Sequence, residues 1–362
     1  MEQKNVNRTK RIVLGIIAVF LSVLVIGFVA IRLIFPQHDP LPTTGEFGVE
    51  SVLYSYVDEN RTERYSTTDK NRKVNVEFWY PENADSVYPL VIFSHGALGI
   101  RSSNLLLYRE LASHGYVVGA VDHPYQAFWT RDVDGQLTLI NLGYLSDLQR
   151  EDAKTDTAQS FSYYQDWMEI RMGDINFILE TVFQNAENDH FGVFSLVDTG
   201  KIGVMGHSLG GSAALGIGRQ RDDVKAVIAL EAPFLYDIEG VENGAFLFIN
   251  EVYPTPVLNI YSDDSWENLS EWGQYARNYA LLSDTEATAF NMHINGVGHL
   301  ALTDLALSSP FLVGMLDRSP MARDSVEVLN IINRLSLDFF DQFLKGEGEF
   351  SGFQIESVDL IP

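Results

Sequence analysis

Two apolar patterns divide the chain. The first is one unbroken run, residues 12–31, in which Ser22 is the only polar side chain. It is 20 residues long, enough to cross a bilayer as a helix. The second pattern begins near Gly48 and is made of short pieces. Residues 49–57 and 73–80, the latter alternating apolar and polar positions (KVNVEFWY), predict two antiparallel edge strands. Residues 90–94 and 116–121 read as buried strands, with the amphipathic helix 104–113 between them. Residues 161–185 predict a long helix, with Met168, Met172, Ile175 and Ile178 on one core-facing stripe. Strands at 201–205, 224–230, 256–261 and 288–294 follow, separated by helical segments, and 325–344 closes the chain as a helix. Alternating strands and helices imply a mostly parallel sheet covered on both faces. Ligands bind such sheets beyond the carboxyl ends of the strands.

Residues 125–160 fit neither period. The stretch is polar and studded with aromatics, and an insertion of that length is suited to covering a pocket. No internal repeat or low-complexity segment interrupts the rest.

Flanking charges orient the N-terminal run. Lys4, Arg8, Lys10 and Arg11 precede it and Arg32 follows, an asymmetry that keeps the N-terminus cytoplasmic. A cleavable signal peptide has a shorter apolar core and a small-x-small site, and residues 29–33 (VAIRL) offer none. The expected organisation is a cytoplasmic tail (1–11), a transmembrane signal anchor (12–35), a tether (36–47, with Pro36, Pro40, Pro42 and Gly45) and an extracytoplasmic domain (48–362).

Composition changes this picture mainly by exclusion. The 362 residues carry 25 basic and 49 acidic side chains, a formal net charge of −24. Such a chain repels nucleic acid. With no cysteine there is no disulfide, no thiol nucleophile and no cysteine-bound metal. No H-E-x-x-H or similar spacing points to a metal, and no cofactor is expected.

The chemistry gathers at 201–212 (KIGVMGHSLGGS). Gly206, His207, Ser208, Leu209 and Gly210 spell G-x-S-x-G between a predicted strand and a predicted helix, the context of a nucleophile elbow. Ser208 must take a strained backbone conformation there, and the residues two to either side must lack bulk. A serine hydroxyl needs a base, and the base needs an orienting acid. Six of the eight histidines precede Ser208 (His38, His95, His114, His123, His190 and His207), whereas in this topology the base follows the nucleophile. His293 sits inside a strand and reads as structural. His299, in the glycine-flexed loop NGVGH after that strand, is the expected base. The acid is left open: Glu231 ends the first strand after the elbow, and Asp263 and Asp264 end the next. Each also has a plain reading as a strand-end charge or helix cap. Oxyanion donors are expected from the N–H of Leu209 and from the glycine-rich loop 94–99 (SHGALG), at Ala97.

Six segments in order resemble the platelet-activating-factor acetylhydrolase branch of the α/β-hydrolases, with its dienelactone-hydrolase-like relatives. They are FWYPENADSVYPLVIFSHGALGIRSSN (78–104), ELASHGYVVGAVDHP (110–124), RMGDINFILE (171–180), GHSLGGSAA (206–214), AVIALEAPF (226–234) and NGVGHLALTDL (295–305). The resemblance implies the α/β-hydrolase fold and ester hydrolysis without a cofactor, by some members on short or oxidised acyl chains of phospholipids. It also implies the acid at Glu231, where the family has aspartate in an A-L-D segment, and oxyanion donors at Ala97 and Leu209. The resulting expectation is a membrane-anchored serine esterase acting on a small-molecule or lipid-like ester. An acyltransferase with the same triad, or a non-catalytic binding module, are the rival classes.

Overall fold

The computed structural model describes residues 2–38, 41–66, 68–188, 192–318, 321–350 and 358–360. Pro40 of the expected tether and His190 lie outside them. Helix α1 (Glu2–Ile34) contains the long apolar run, and over Leu14–Ile34 its mean hydropathy is 3.0 and none of its residues is buried. It is long and apolar enough to cross a membrane. Its C-terminal end meets the domain where Ser309 Oγ donates to the Ile34 carbonyl at 2.5 Å.

Strands β1 (Val49–Thr62) and β2 (Asn71–Pro81) form the expected antiparallel pair. Then come β3 (Tyr88–Ser94), helix α2 (Leu105–Ser113) and β4 (Val117–Asp122). Residues 125–160, where the sequence shows no period, hold a small hairpin, β5 (Trp129–Arg131) with β6 (Leu137–Leu139), and helix α3 (Leu142–Arg150). Helix α4 (Thr157–Asn188) leads to β7 (Val197–His207), α5 (Leu209–Gln220) and β8 (Val224–Leu230). A second hairpin, β9 (Ile238–Glu242) with β10 (Ala245–Phe248), precedes β11 (Val257–Tyr261). Short helices α6 (Asp263–Trp266) and α7 (Ala276–Leu281) precede β12 (Ala289–Ile294). Helices α8 (Leu305–Ser308), α9 (Pro310–Leu316) and α10 (Ser325–Phe340), then β13 (Val358–Leu360), end the described chain.

Nine strands make one sheet in the order β1-β2-β4-β3-β7-β8-β11-β12-β13. From β4 to β12 every pairing is parallel; β1, β2 and β13 are antiparallel. This is the α/β-hydrolase fold with its antiparallel N-terminal strands. One expectation fails: β2 is not an edge strand, because β4 pairs with its far side and only β1 is left at that edge. Alternating polarity does not reveal this: β2 keeps polar residues at alternate positions even where both its faces are covered, as at Val74, Asn75 and Val76.

The period of two along the strands explains the two-sided core. In β3, Leu90 and Ile92 join the cluster containing Met172, Ile175, Ala213 and Ala214 of α4 and α5. Val91 and Phe93 point the other way, into the cluster of Leu111 from α2 and Leu335 and Phe339 from α10. The sheet is thereby clamped, and its carboxyl edge becomes a rigid rim from which loops project.

Candidate active site

That rim is strained. Of the six described non-glycine residues with positive φ, four follow the carboxyl ends of neighbouring strands: Leu98 after β3, Tyr125 after β4, Ser208 after β7 and Glu231 after β8. Each such conformation costs on the order of 1–3 kcal/mol and persists only where packing imposes it. Ser208 shows how. It sits at φ 52° and ψ −125° between β7 and α5. Its N–H donates to the Leu230 carbonyl at 2.8 Å, and its carbonyl accepts the Ser212 N–H at 3.0 Å. A Cβ on Gly206 would overlap the Gly210 backbone, and one on Gly210 would overlap the Ser94 carbonyl, so β7, α5 and β3 meet only through glycine. Among the described residues the Ser208 hydroxyl has no hydrogen-bond partner, and it faces a pocket of about 410 Å³.

His299 lines the same pocket from the loop after β12. Its backbone is fixed at both ends. The N–H donates to Asp264 Oδ2 at 3.1 Å, and the carbonyl accepts from His207 Nε2 at 3.0 Å. Burial and the neighbouring His299 push the His207 ring well below its ordinary pKa, so it stays neutral and donates through Nε2. The His299 ring rests on that of His207, with centroids 4.5 Å apart, and its Nδ1 lies 3.8 Å from Glu231 Oε1. Burial lowers the His299 pKa, but the adjacent Glu231 carboxylate, with Asp317 and Asp264 behind it, outweighs burial. The net shift is upward from 6.5.

Glu231 is 2% exposed. Its two carboxylate oxygens take the Ser262 N–H at 2.5 Å and the Ser265 N–H at 2.9 Å, both from the turn after β11. The other two carboxylates weighed from the sequence are engaged elsewhere. Asp263 accepts from His293 Nε2 at 2.8 Å and from the Gly296 N–H at 2.9 Å. It therefore braces the loop that carries His299, and His293, stacked on Trp266, belongs to that brace. Asp264 holds backbone, the N–H groups of His299 and, at 3.4 Å, Arg318. Asp304 ties the same loop to α2 by accepting the Leu106 N–H at 3.0 Å. Burial pushes its carboxyl up to about 7 against the N–H donors of Leu106 and Leu105.

Ala97 and Leu209 both line the pocket. Neither N–H has an acceptor among the described residues, and Leu209 as first residue of α5 has none within its helix. The walls are apolar at Leu148, Trp167 and Leu235, and charged at Glu151 and Arg318. Leu148 and Glu151 come from residues 125–160.

Sequence reasoning missed Asp317, whose carboxylate takes the N–H groups of Leu300 at 2.8 Å and Ala301 at 3.3 Å and so caps the turn that begins at His299. Its partners are seventeen and sixteen residues back in the chain, with no motif linking them. It also missed the roles of His207 and of Arg171. A signal existed for the latter: Arg171 falls within the apolar stripe of Met168, Met172, Ile175 and Ile178.

The model of the platelet-activating factor acetylhydrolase, isoform II, family matches residues 59–357. The platelet-activating factor acetylhydrolase of Cavia porcellus is 23% identical over 306 residues, 80% of this chain and 66% of that protein. Its counterpart from Gallus gallus is 25% identical over 290 residues, 73% of this chain and 64% of that protein. The chain thus spans slightly less than two thirds of the length of these relatives. A solved structure of ferulic acid esterase from Streptomyces cinnamoneus has a TM-score of 0.68 at 20% identity, covering 89% of this chain and 98% of its own. That likeness speaks to the fold alone.

Proposed function

The chain belongs to the platelet-activating factor acetylhydrolase, isoform II, family, and from that premise we propose that it is a serine ester hydrolase working in the pocket around Ser208. The observation that carries the reading is convergence: Ser208, Glu231 and His299, from three different strand ends, share one pocket with two unpaired N–H donors. In this reading Ser208 Oγ attacks the ester carbonyl while His299 takes its proton. Glu231, behind Nδ1, orients the ring and balances the imidazolium. The N–H groups of Ala97 and Leu209 receive the oxyanion. Collapse expels the alcohol with the proton from His299, and water, activated by the same ring, releases the acid and frees Ser208. No step calls on a cofactor.

The substrate class we infer is short-chain acyl esters or phospholipid-like esters, supported by the apolar walls at Leu148, Trp167 and Leu235. We read α1 as an uncleaved anchor with a cytoplasmic N-terminus and the domain on the opposite side, from four basic residues before the apolar run and one after it. The test is turnover of p-nitrophenyl acetate, butyrate, octanoate and palmitate by the full chain in detergent. Specificity should be highest for acetate or butyrate and lowest for palmitate. A folded protein that turns over none of them contradicts the reading.

The pH profile gives a second check. A general base works only when neutral, and the carboxylates around His299 hold its proton more tightly than in free imidazole. The acid limb of kcat/KM should therefore be centred above 6.5. Glu231→Gln, which removes the largest upward influence, should move it to lower pH. The linked stability has the opposite sense: the pair's contribution is present in full below 6.5 and is lost as pH rises through the folded-state pKa. An acid limb at or below the free-imidazole value would count against His299 as the base.

A further inference from the structure

Helix α4 carries a charge where its pattern calls for an apolar residue. Arg171 lies within the stripe formed by Met168, Met172, Ile175 and Ile178 and is completely buried. A buried cation is costly unless a carboxylate balances it. Yet the guanidinium donates to neutral oxygens: the His95 carbonyl, the Gly96 carbonyl at 3.3 Å and Gln126 Oε1 at 2.8 Å. Asp174, one turn along, is already held by Arg72 at 2.6 Å, Arg61 at 2.9 Å and His123 at 2.9 Å. Balancing a local carboxylate does not explain Arg171.

The carbonyls it holds do. In a trans peptide the C=O and N–H point in opposite directions. Drawing the Gly96 carbonyl toward α4 turns the Ala97 N–H away from it, on the side that faces the pocket. That carbonyl is fixed three times over, by Arg171, by His95 Nδ1 at 2.7 Å and by the Gly99 N–H at 3.1 Å. Three donors on one carbonyl polarise the whole peptide and strengthen its N–H as a donor. The loop also touches the nucleophile: a Cβ on Gly96 would lie 3.3 Å from Ser208 Cβ. We propose that Arg171 is a positioning residue for the oxyanion hole, its guanidinium fork aiming and polarising the Ala97 N–H from behind. The proposal rests on the reading of Ala97 as an oxyanion donor.

The test compares the full chain with Arg171→Met and Arg171→Lys, each rate normalised to active sites titrated with a fluorophosphonate. Misdirecting an oxyanion donor lowers kcat while leaving substrate binding intact, so kcat should fall about tenfold to a hundredfold in Arg171→Met. KM should stay within about threefold, a split expected when only transition-state contacts are lost. Arg171→Lys keeps the charge but not the fork, and should recover only part of the loss. A trifluoromethyl ketone, which forms an oxyanion on the serine, should lose affinity in parallel with kcat, while the acid limb of the pH profile stays where it was. Should Arg171→Met fail to fold, Arg171→Lys decides alone. Unchanged kcat per titrated site in either folded variant, or losses that merely follow the fraction of folded protein, would overturn the proposal. Absence of turnover in the unmodified chain would instead defeat the esterase reading on which it stands.

Discussion

Ser208→Ala should lower kcat for p-nitrophenyl butyrate by at least about 10⁴-fold, to the residue of catalysis that binding and the oxyanion donors sustain alone. The loss should come without loss of structure. Ser208 Oγ has no hydrogen-bond partner among the described residues, so its removal leaves no buried group unsatisfied. The strain at φ 52° arises from the Cβ, which alanine keeps. The melting temperature should therefore stay within a few degrees of the unmodified chain, about the shift that 1 kcal/mol produces in a domain of this size. Full activity in Ser208→Ala would remove the serine mechanism; an unfolded variant would show that the elbow depends on the hydroxyl in a way its geometry gives no reason for.

The second large effect separates three carboxylates. Glu231→Gln should cost about 10³–10⁴-fold in kcat, because an amide neither balances the imidazolium nor fixes the ring's tautomer. Asp263→Asn and Asp264→Asn should cost much less, around tenfold, and act on the loop instead. Asp263 grips His293 and the Gly296 N–H, and Asp264 grips the His299 N–H, so both variants should lower thermal stability by loosening that loop. Parallel kcat measurements and melting curves on the three variants decide this. A loss in Asp264→Asn equal to that in Glu231→Gln would move the acid role to the second strand end.

Most of the fold was legible because hydrophobic period and glycine placement act locally. The strand 224–230 and the start of the closing helix at Ser325 follow directly from their patterns. Gly206 and Gly210 announce a close approach that the structure realises against Ser94. What escaped the sequence depends on partners far along the chain. Whether β2 lies at an edge depends on β4, whose polarity says nothing about it. The two small hairpins are too short and too exposed for a clean period.

The same division runs through the candidate site. Ser208 and His299 each sit in a local motif. The carboxylates do not, since Glu231, Asp263 and Asp264 all end strands on the same rim. Only the third dimension reveals that Asp263 is engaged by His293 and Asp264 by backbone, while Glu231 faces the His299 ring. Glu231 reaches the His299 ring at 3.8 Å from a backbone held at positive φ, a placement that strand-end position alone does not announce. Arg171 was visible as a charge in an apolar stripe, but its targets, the carbonyls of His95 and Gly96, carry no side-chain signature.

The central claim is that Ser208 is the nucleophile of an ester hydrolase, and covalent trapping tests it most directly. The full chain in detergent is treated with a fluorophosphonate, digested, and the modified residue located by mass spectrometry. The account predicts one adduct per chain, on Ser208, with fluoride displaced by Oγ and ester hydrolysis abolished in step with labelling. No adduct on folded protein, or an adduct elsewhere with activity intact, would contradict it.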